Sequence, residues 1–268
     1  MSKKIKQLFF GGLILATMSC STVPYGQTNK FYKKQTKELS KTIRSKPVNP
    51  TGQDFVGTTN FGLRKPNYVI IHHTAQNSTE QTLKTFTTSK TQVSAHYVIG
   101  KDGIIYQMLN DYLRAWHGGA ANWGNMTDIN SSSIGIELDN NGLEQFSDVQ
   151  IEGLLSVLSK LKRTYNIPAT NFIGHSDIAP GRKVDPSINF PWKKLAENGF
   201  GLWQDQVLTD SVPDSFNPIE ALRIIGYDTK NPENAIKSFQ LHFVQKELTG
   251  ILNEEEKQIL FNLYKKYL

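Results

Sequence analysis

The chain has 268 residues, 38% of them hydrophobic and 20% charged, so it carries enough apolar material for a folded core and is neither a disordered polymer nor a collagen. Its single cysteine excludes an intrachain disulfide framework and a cysteine-cluster zinc site. The formal charge of +6 is uneven: Lys3, Lys4 and Lys6 supply +3, residues 30–46 a local +6, and the remaining body is near −3. A nucleic-acid protein needs its basic face on the fold itself, so no nucleic-acid partner is expected.

Residues 1–7 are basic and 8–19 mostly apolar around Leu13, Ile14 and Leu15, the pattern of a signal peptide over 1–19 that is too short for a permanent membrane span. Cys20 closes this run. A lone cysteine there resembles the lipidation site of bacterial lipoproteins, with Thr17 where such sites usually carry leucine. Ser21 follows instead of aspartate, which in Gram-negative lipoproteins goes with sorting to the outer membrane. The expectation is a protein anchored to a membrane through lipid on Cys20, at the outer membrane and facing the periplasm. Residues 20–55, rich in Lys, Thr, Ser and Pro, read as the lipidated cysteine and a flexible tether.

Between 56 and 200 strand and helix signals interleave. Residues 68–71 are a β-branched and aromatic run after Pro66, hence a buried strand. Ser78 with Gln81 forms a capping box that opens a helix to about residue 90. Residues 95–99 and 104–109, separated by Lys101-Asp102-Gly103, form a hairpin. A further strand covers 134–138, and Ser147 with Gln150 caps a long helix whose Ile151, Leu154, Leu155, Leu158 and Leu161 share one face. A short strand at 171–174 precedes a Pro- and Gly-punctuated loop, 176–191. This order predicts an α/β fold with a mixed central sheet flanked by helices. After a linker at 201–216, three helix starts follow: Asn217-Pro218, Asn231-Pro232 and Asn253 with Glu256, a small three-helix domain over 217–268.

The chemistry-bearing residues sit at strand ends. His72 and His73 end the first strand, and because neighbouring strand residues face opposite ways only one of them enters a given site. His175 ends the short strand before the loop that holds Asp185. Two imidazoles and one carboxylate are a usual ligand set for catalytic zinc, with one position left for water. Glu137 is an acid inside the apolar strand Ile134-Gly135-Ile136-Glu137-Leu138, where an unpaired carboxylate is costly. Lys183 shares a side with Asp185 in extended geometry. A base, a cation and a metal site together make a hydrolytic set.

Val69-Ile70-Ile71-His72-His73-Thr74-Ala75, Ser94-Ala95-His96-Tyr97, Ala115-Trp116-His117-Gly118-Gly119, Ser133-Ile134-Gly135-Ile136-Glu137 and the run Gly174 to Pro186 resemble, in order, the successive motifs of the type-2 N-acetylmuramoyl-L-alanine amidases. The resemblance is nearest to their outer-membrane lipoprotein branch, whose C-terminal helical module resembles peptidoglycan-binding domains; Gly226-Tyr227-Asp228 and residues 239–243 look like its counterpart. It implies that 56–200 is a zinc amidase domain with one Zn²⁺ on His72, His175 and Asp185. Glu137 and Lys183 would be catalytic, and His117 and His96 would lie near bound substrate. The implied reaction is hydrolysis of the amide between N-acetylmuramic acid and L-alanine in peptidoglycan or muropeptides. The alternative is a non-catalytic peptidoglycan-binding lipoprotein of the same fold.

Overall fold

In the computed structural model, which describes residues 24–44, 58–60 and 62–268, five strands form one mixed sheet. They are β1 (Tyr68–His73), β2 (Tyr97–Ile99), β3 (Ile105–Gln107), β4 (Ser133–Leu138) and β5 (Phe172–Gly174). The spatial order is β3-β2-β4-β1-β5. β1 lies between β4 and β5, parallel to both, and β2 is parallel to β4 and antiparallel to β3. The sheet is therefore the mixed α/β sheet expected from the sequence. β1 and β4 are buried almost throughout, as strands covered on both faces must be.

Side-chain alternation sorts the sheet into two faces. Val69, Ile71, Ile134, Ile136 and Leu138 join one buried cluster with Ile151, Leu154, Leu158 and Leu161 of the long helix Asp148–Tyr165. Its cap is the expected one, with the Ser147 side chain accepting the Gln150 N–H. Ile70 and Ile173 point the other way, into a second cluster built largely from the C-terminal helices. His72 follows Ile70 by two residues, and Gly135 and Glu137 are the outward members of β4, so these three belong to the second face. The helix after β1, Thr79–Thr87, starts at Ser78 as expected and stops short of residue 90, giving way to a 3₁₀ turn at Ser89–Thr91.

Each C-terminal helix begins where its Asn cap indicates: Pro218–Ile225 at Asn217, Pro232–Phe239 at Asn231 and Glu254–Tyr267 at Asn253. A π-turn, Gln240–Val244, extends the second of them. Their apolar residues Leu222, Ile225, Phe239, Leu260 and Leu263 share one buried cluster with Ile70, Ile173 and Ile178. Residues 60–268 form one compact unit on this packing.

The described residues before Asn60 fall outside this unit. The signal-peptide segment and Cys20 lie outside the described residues. The stretch read as flexible tether contains a 19-residue helix, α1 (Gly26–Arg44). Residues 27–44 hold neither Gly nor Pro and are rich in Lys, a good helix former, so local propensity prevails over the compositional look of a linker. Among the described residues no helix is long and apolar enough to cross a membrane.

Candidate active site

His72 on β1, His175 at the start of the short helix after β5, and Asp185 in the following loop converge on the second face of the sheet. His72 Nδ1 lies 2.9 Å from His175 Nδ1 and 3.2 Å from Asp185 Oδ2, and His175 Nδ1 lies 2.9 Å from the same oxygen. All three residues are buried. Ser176 N–H donates to the Asp185 carbonyl at 2.8 Å, which joins the two arms that carry His175 and Asp185.

Hydrogen bonds on the far side of each ring assign its tautomer. Ser133 Oγ donates to the Ile129 carbonyl (2.6 Å), so its oxygen accepts from His117 Nε2 at 3.2 Å. His117 Nδ1 is then an acceptor and takes the His72 Nε2 proton at 3.0 Å. His175 Nε2 donates to the Gly118 carbonyl at 3.1 Å. With these assignments both Nδ1 atoms present lone pairs, and the third member is a carboxylate oxygen. Three acceptors about 3 Å apart repel unless a cation lies between them. Tetrahedral zinc with bonds of about 2.0–2.2 Å sets its ligands about 3.3 Å apart, so donor set and spacing both fit such an ion. Burial and the neighbouring His175 lower the His72 imidazole to about 4, which favours the neutral ring a ligand needs.

Glu137 is the register partner of His72 across β1 and β4. It is partly buried, and its Oε2 is sealed from solvent without a hydrogen-bond partner. Burial, helped by Asp185 and opposed by Lys183, raises its carboxyl to about 8. Glu137 and Lys183 line, with the triad, a cleft of about 430 Å³ at whose mouth Trp116 and Val184 are exposed. The structure thus brings together His72, His175, Asp185, Glu137 and Lys183.

The other histidines take supporting places. His117 stands behind His72 with both ring nitrogens engaged, so it orients that ring, and it also lines the cleft. His96 is fully buried, with Nε2 on the Leu113 carbonyl and Nδ1 accepting the Gly135 N–H, and does not reach the cleft. His73 faces away from the triad, and its Nδ1 accepts the Ser187 N–H at 3.0 Å. Two contributors escaped the sequence reading. Arg182 donates to the Gly118 carbonyl at 2.7 Å beside His175. Gly135 makes room for His117, since a Cβ there would lie 2.4 Å from His117 Cγ.

Residues 62–188 match the family profile described as N-acetylmuramoyl-L-alanine amidase. The chain is 33% identical over 231 residues to the N-acetylmuramoyl-L-alanine amidase AmiD of Escherichia coli K12, spanning 74% of this chain and 82% of AmiD. It belongs to the type-2 N-acetylmuramoyl-L-alanine amidase family. Structures agree over a similar length. AmiD from E. coli, in complex with anhydro-N-acetylmuramic acid-L-Ala-D-gamma-Glu-L-Lys, superposes with a TM-score of 0.69 at 30% identity, covering 82% of this amidase and 97% of AmiD. AmpDh3 from Pseudomonas aeruginosa gives 0.70 at 28% identity, covering 83% and 99%. The 1,6-anhydro-N-acetylmuramyl-L-alanine amidase AmpD of Salmonella typhimurium is 40% identical over 104 residues, 39% of this chain and 56% of AmpD.

Proposed function

We propose that the protein is a zinc-dependent amidase that cuts the bond between N-acetylmuramic acid and L-alanine in peptidoglycan and muropeptides. The observation that carries this reading is the convergence of three acceptor atoms from His72, His175 and Asp185 beside the unpartnered acid Glu137. These three residues would hold the ion. Zinc bound there would supply Lewis acidity, activating water near pH 7 and polarising the scissile carbonyl.

The chain's own groups then divide the work. Glu137 takes a proton from the attacking water as the water oxygen bonds to the carbonyl carbon. It returns that proton to the alanine nitrogen as the C–N bond breaks. A carboxyl raised by burial holds that proton readily, and the charge of an ion on the triad lowers it toward the working pH. Lys183 stabilises the negative charge that develops on the carbonyl oxygen. His117 and Ser133 keep the His72 lone pair aimed at the site, and the Gly118 carbonyl does the same for His175. Zinc content after dialysis tests the assignment: His72→Ala and His175→Ala should each lose the ion, and full occupancy in both would refute it.

The same reading places the enzyme in the outer-membrane lipoprotein branch of its family, with residues 217–268 as the counterpart of the peptidoglycan-binding-like module. The likeness to AmiD, covering 82% of this chain and 97% of that structure, extends beyond residues 62–188 and so is not confined to the catalytic domain. Location rests on Cys20 after the apolar run and on Ser21. Helix α1 adds support. Lys30, Lys33, Lys34, Lys37, Lys41 and Arg44 fall within one arc of about 100°, with Leu39 and Ile43 exposed on the other side. A basic amphipathic helix a few residues beyond a lipid anchor suits an anionic membrane surface. Fractionation with labelled palmitate tests the anchor: label and membrane association should vanish in Cys20→Ala, and an unlabelled, soluble wild type would refute it.

A further inference from the structure

We propose that Tyr227 and His242, from the C-terminal segment, are positioning residues for the metal site, acting through Asp177 to hold the turn that presents His175. The inference rests on the reading of His72, His175 and Asp185 as a metal site. A metal ligand must be held to a fraction of an ångström, and the helix that His175 opens, His175–Ile178, has four residues, too few to fix itself. Its stiffness comes from outside.

Asp177 is fully buried, and three donors converge on its carboxylate. Oδ2 accepts the Gly174 N–H, immediately before His175, at 2.7 Å, and His242 Nδ1–H, also at 2.7 Å. Oδ1 accepts the Tyr227 hydroxyl at 2.7 Å. A fourth link joins the same elements: Ser238 Oγ donates to the Ser176 carbonyl at 2.9 Å. The residues on both sides of His175 are therefore tied either to Asp177 or to the tail.

The donors are themselves fixed. His242 stacks on Trp192 with ring centres 3.8 Å apart and a 19° interplanar angle, and Tyr227 meets Trp123 edge-on at 5.0 Å. Burial, together with the Asp177 charge, pushes the Tyr227 hydroxyl well above its ordinary range, so it remains a donor. Removing either donor leaves a buried carboxylate short of a partner, and the turn can recover solvation only by moving. His175 moves with it.

The test compares zinc affinity, by chelator competition, with urea unfolding of the same full-length proteins. Tyr227→Phe deletes one oxygen. His242→Phe keeps the stack on Trp192 and deletes the donor, whereas His242→Asn offers an amide N–H near the Nδ1 position. Leu260→Ala removes buried packing from the tail but no donor to Asp177. The expectation is zinc binding weakened roughly 10–100-fold in Tyr227→Phe and His242→Phe, the scale for partners that orient a ligand. Their kcat/KM should fall at limiting zinc and recover at saturating zinc. His242→Asn should restore most of the affinity. Leu260→Ala should lower the unfolding midpoint while zinc affinity stays within about twofold. Unchanged zinc affinity in both Phe variants, or an equal loss in Leu260→Ala, would overturn the proposal. A wild type that binds no zinc would instead overturn the metal reading itself, before any variant is compared.

Discussion

Glu137→Gln should make the metal-free protein more stable at alkaline pH even though it disables the enzyme. The acid sits near the end of β4 with a sealed, unpartnered Oε2, and burial moves its carboxyl from an ordinary 4.5 to about 8. The folded state thus binds this proton more tightly than the unfolded chain does. Stability attached to that proton is full below about pH 4.5 and is lost as pH rises through 8. At about 1.4 kcal/mol per pKa unit, the penalty grows by about 3 kcal/mol between pH 5.5 and pH 9. Glutamine keeps the shape and removes the charge. Its amide still has an unpartnered polar atom, costing roughly 1–3 kcal/mol, but at both pH values, so the cost cancels in the comparison. Urea unfolding of chelator-treated wild type and variant at pH 5.5 and pH 9 provides the assay. The variant should gain on the wild type by about 3 kcal/mol over this interval. A stability difference independent of pH would refute the claim that the acid is held in a desolvating site.

Gly135→Ala should place a methyl 2.4 Å from His117 Cγ, push that ring off the strand and turn His72 with it. The expected cost is about 1–3 kcal/mol in unfolding free energy together with weaker zinc binding, read by denaturation and chelator competition. Lys183→Ala should lower kcat about 100-fold with a modest change in KM, because its partner charge exists only in the transition state; steady-state kinetics on a muramyl peptide checks this.

Much of the site was legible because its residues sit where strand alternation and strand ends place chemistry. His72, His175, Asp185 and Glu137 are of that kind, and Glu137 announced itself as an acid in an apolar strand. The choice between His72 and His73 was not local: it depends on which face of β1 looks toward β5 and the loop beyond it. The chain from Ser133 through His117 to His72 was hidden for a similar reason. It forms only when β4 lies against β1 and Gly135 leaves room for a ring. The Asn caps of the C-terminal helices could be read from neighbouring residues, but Asp177 and His242 are 65 positions apart and periodicity does not couple them. Helix α1 was masked by lysines and threonines that resemble a linker, although the absence of Gly and Pro within 27–44 was a usable signal.

The identity of the bond that is cut and its need for metal can be read in one experiment. Purified peptidoglycan and a soluble muramyl peptide should be digested with zinc-loaded protein, with the same protein plus chelator, and with zinc-loaded Glu137→Gln, and the products read by mass spectrometry. Free stem peptides beginning with L-alanine should appear in the first reaction, none after chelation, and the variant's yield should be at least about 100-fold lower. Undiminished release in the presence of chelator, or products cut at another bond, would contradict the proposed activity.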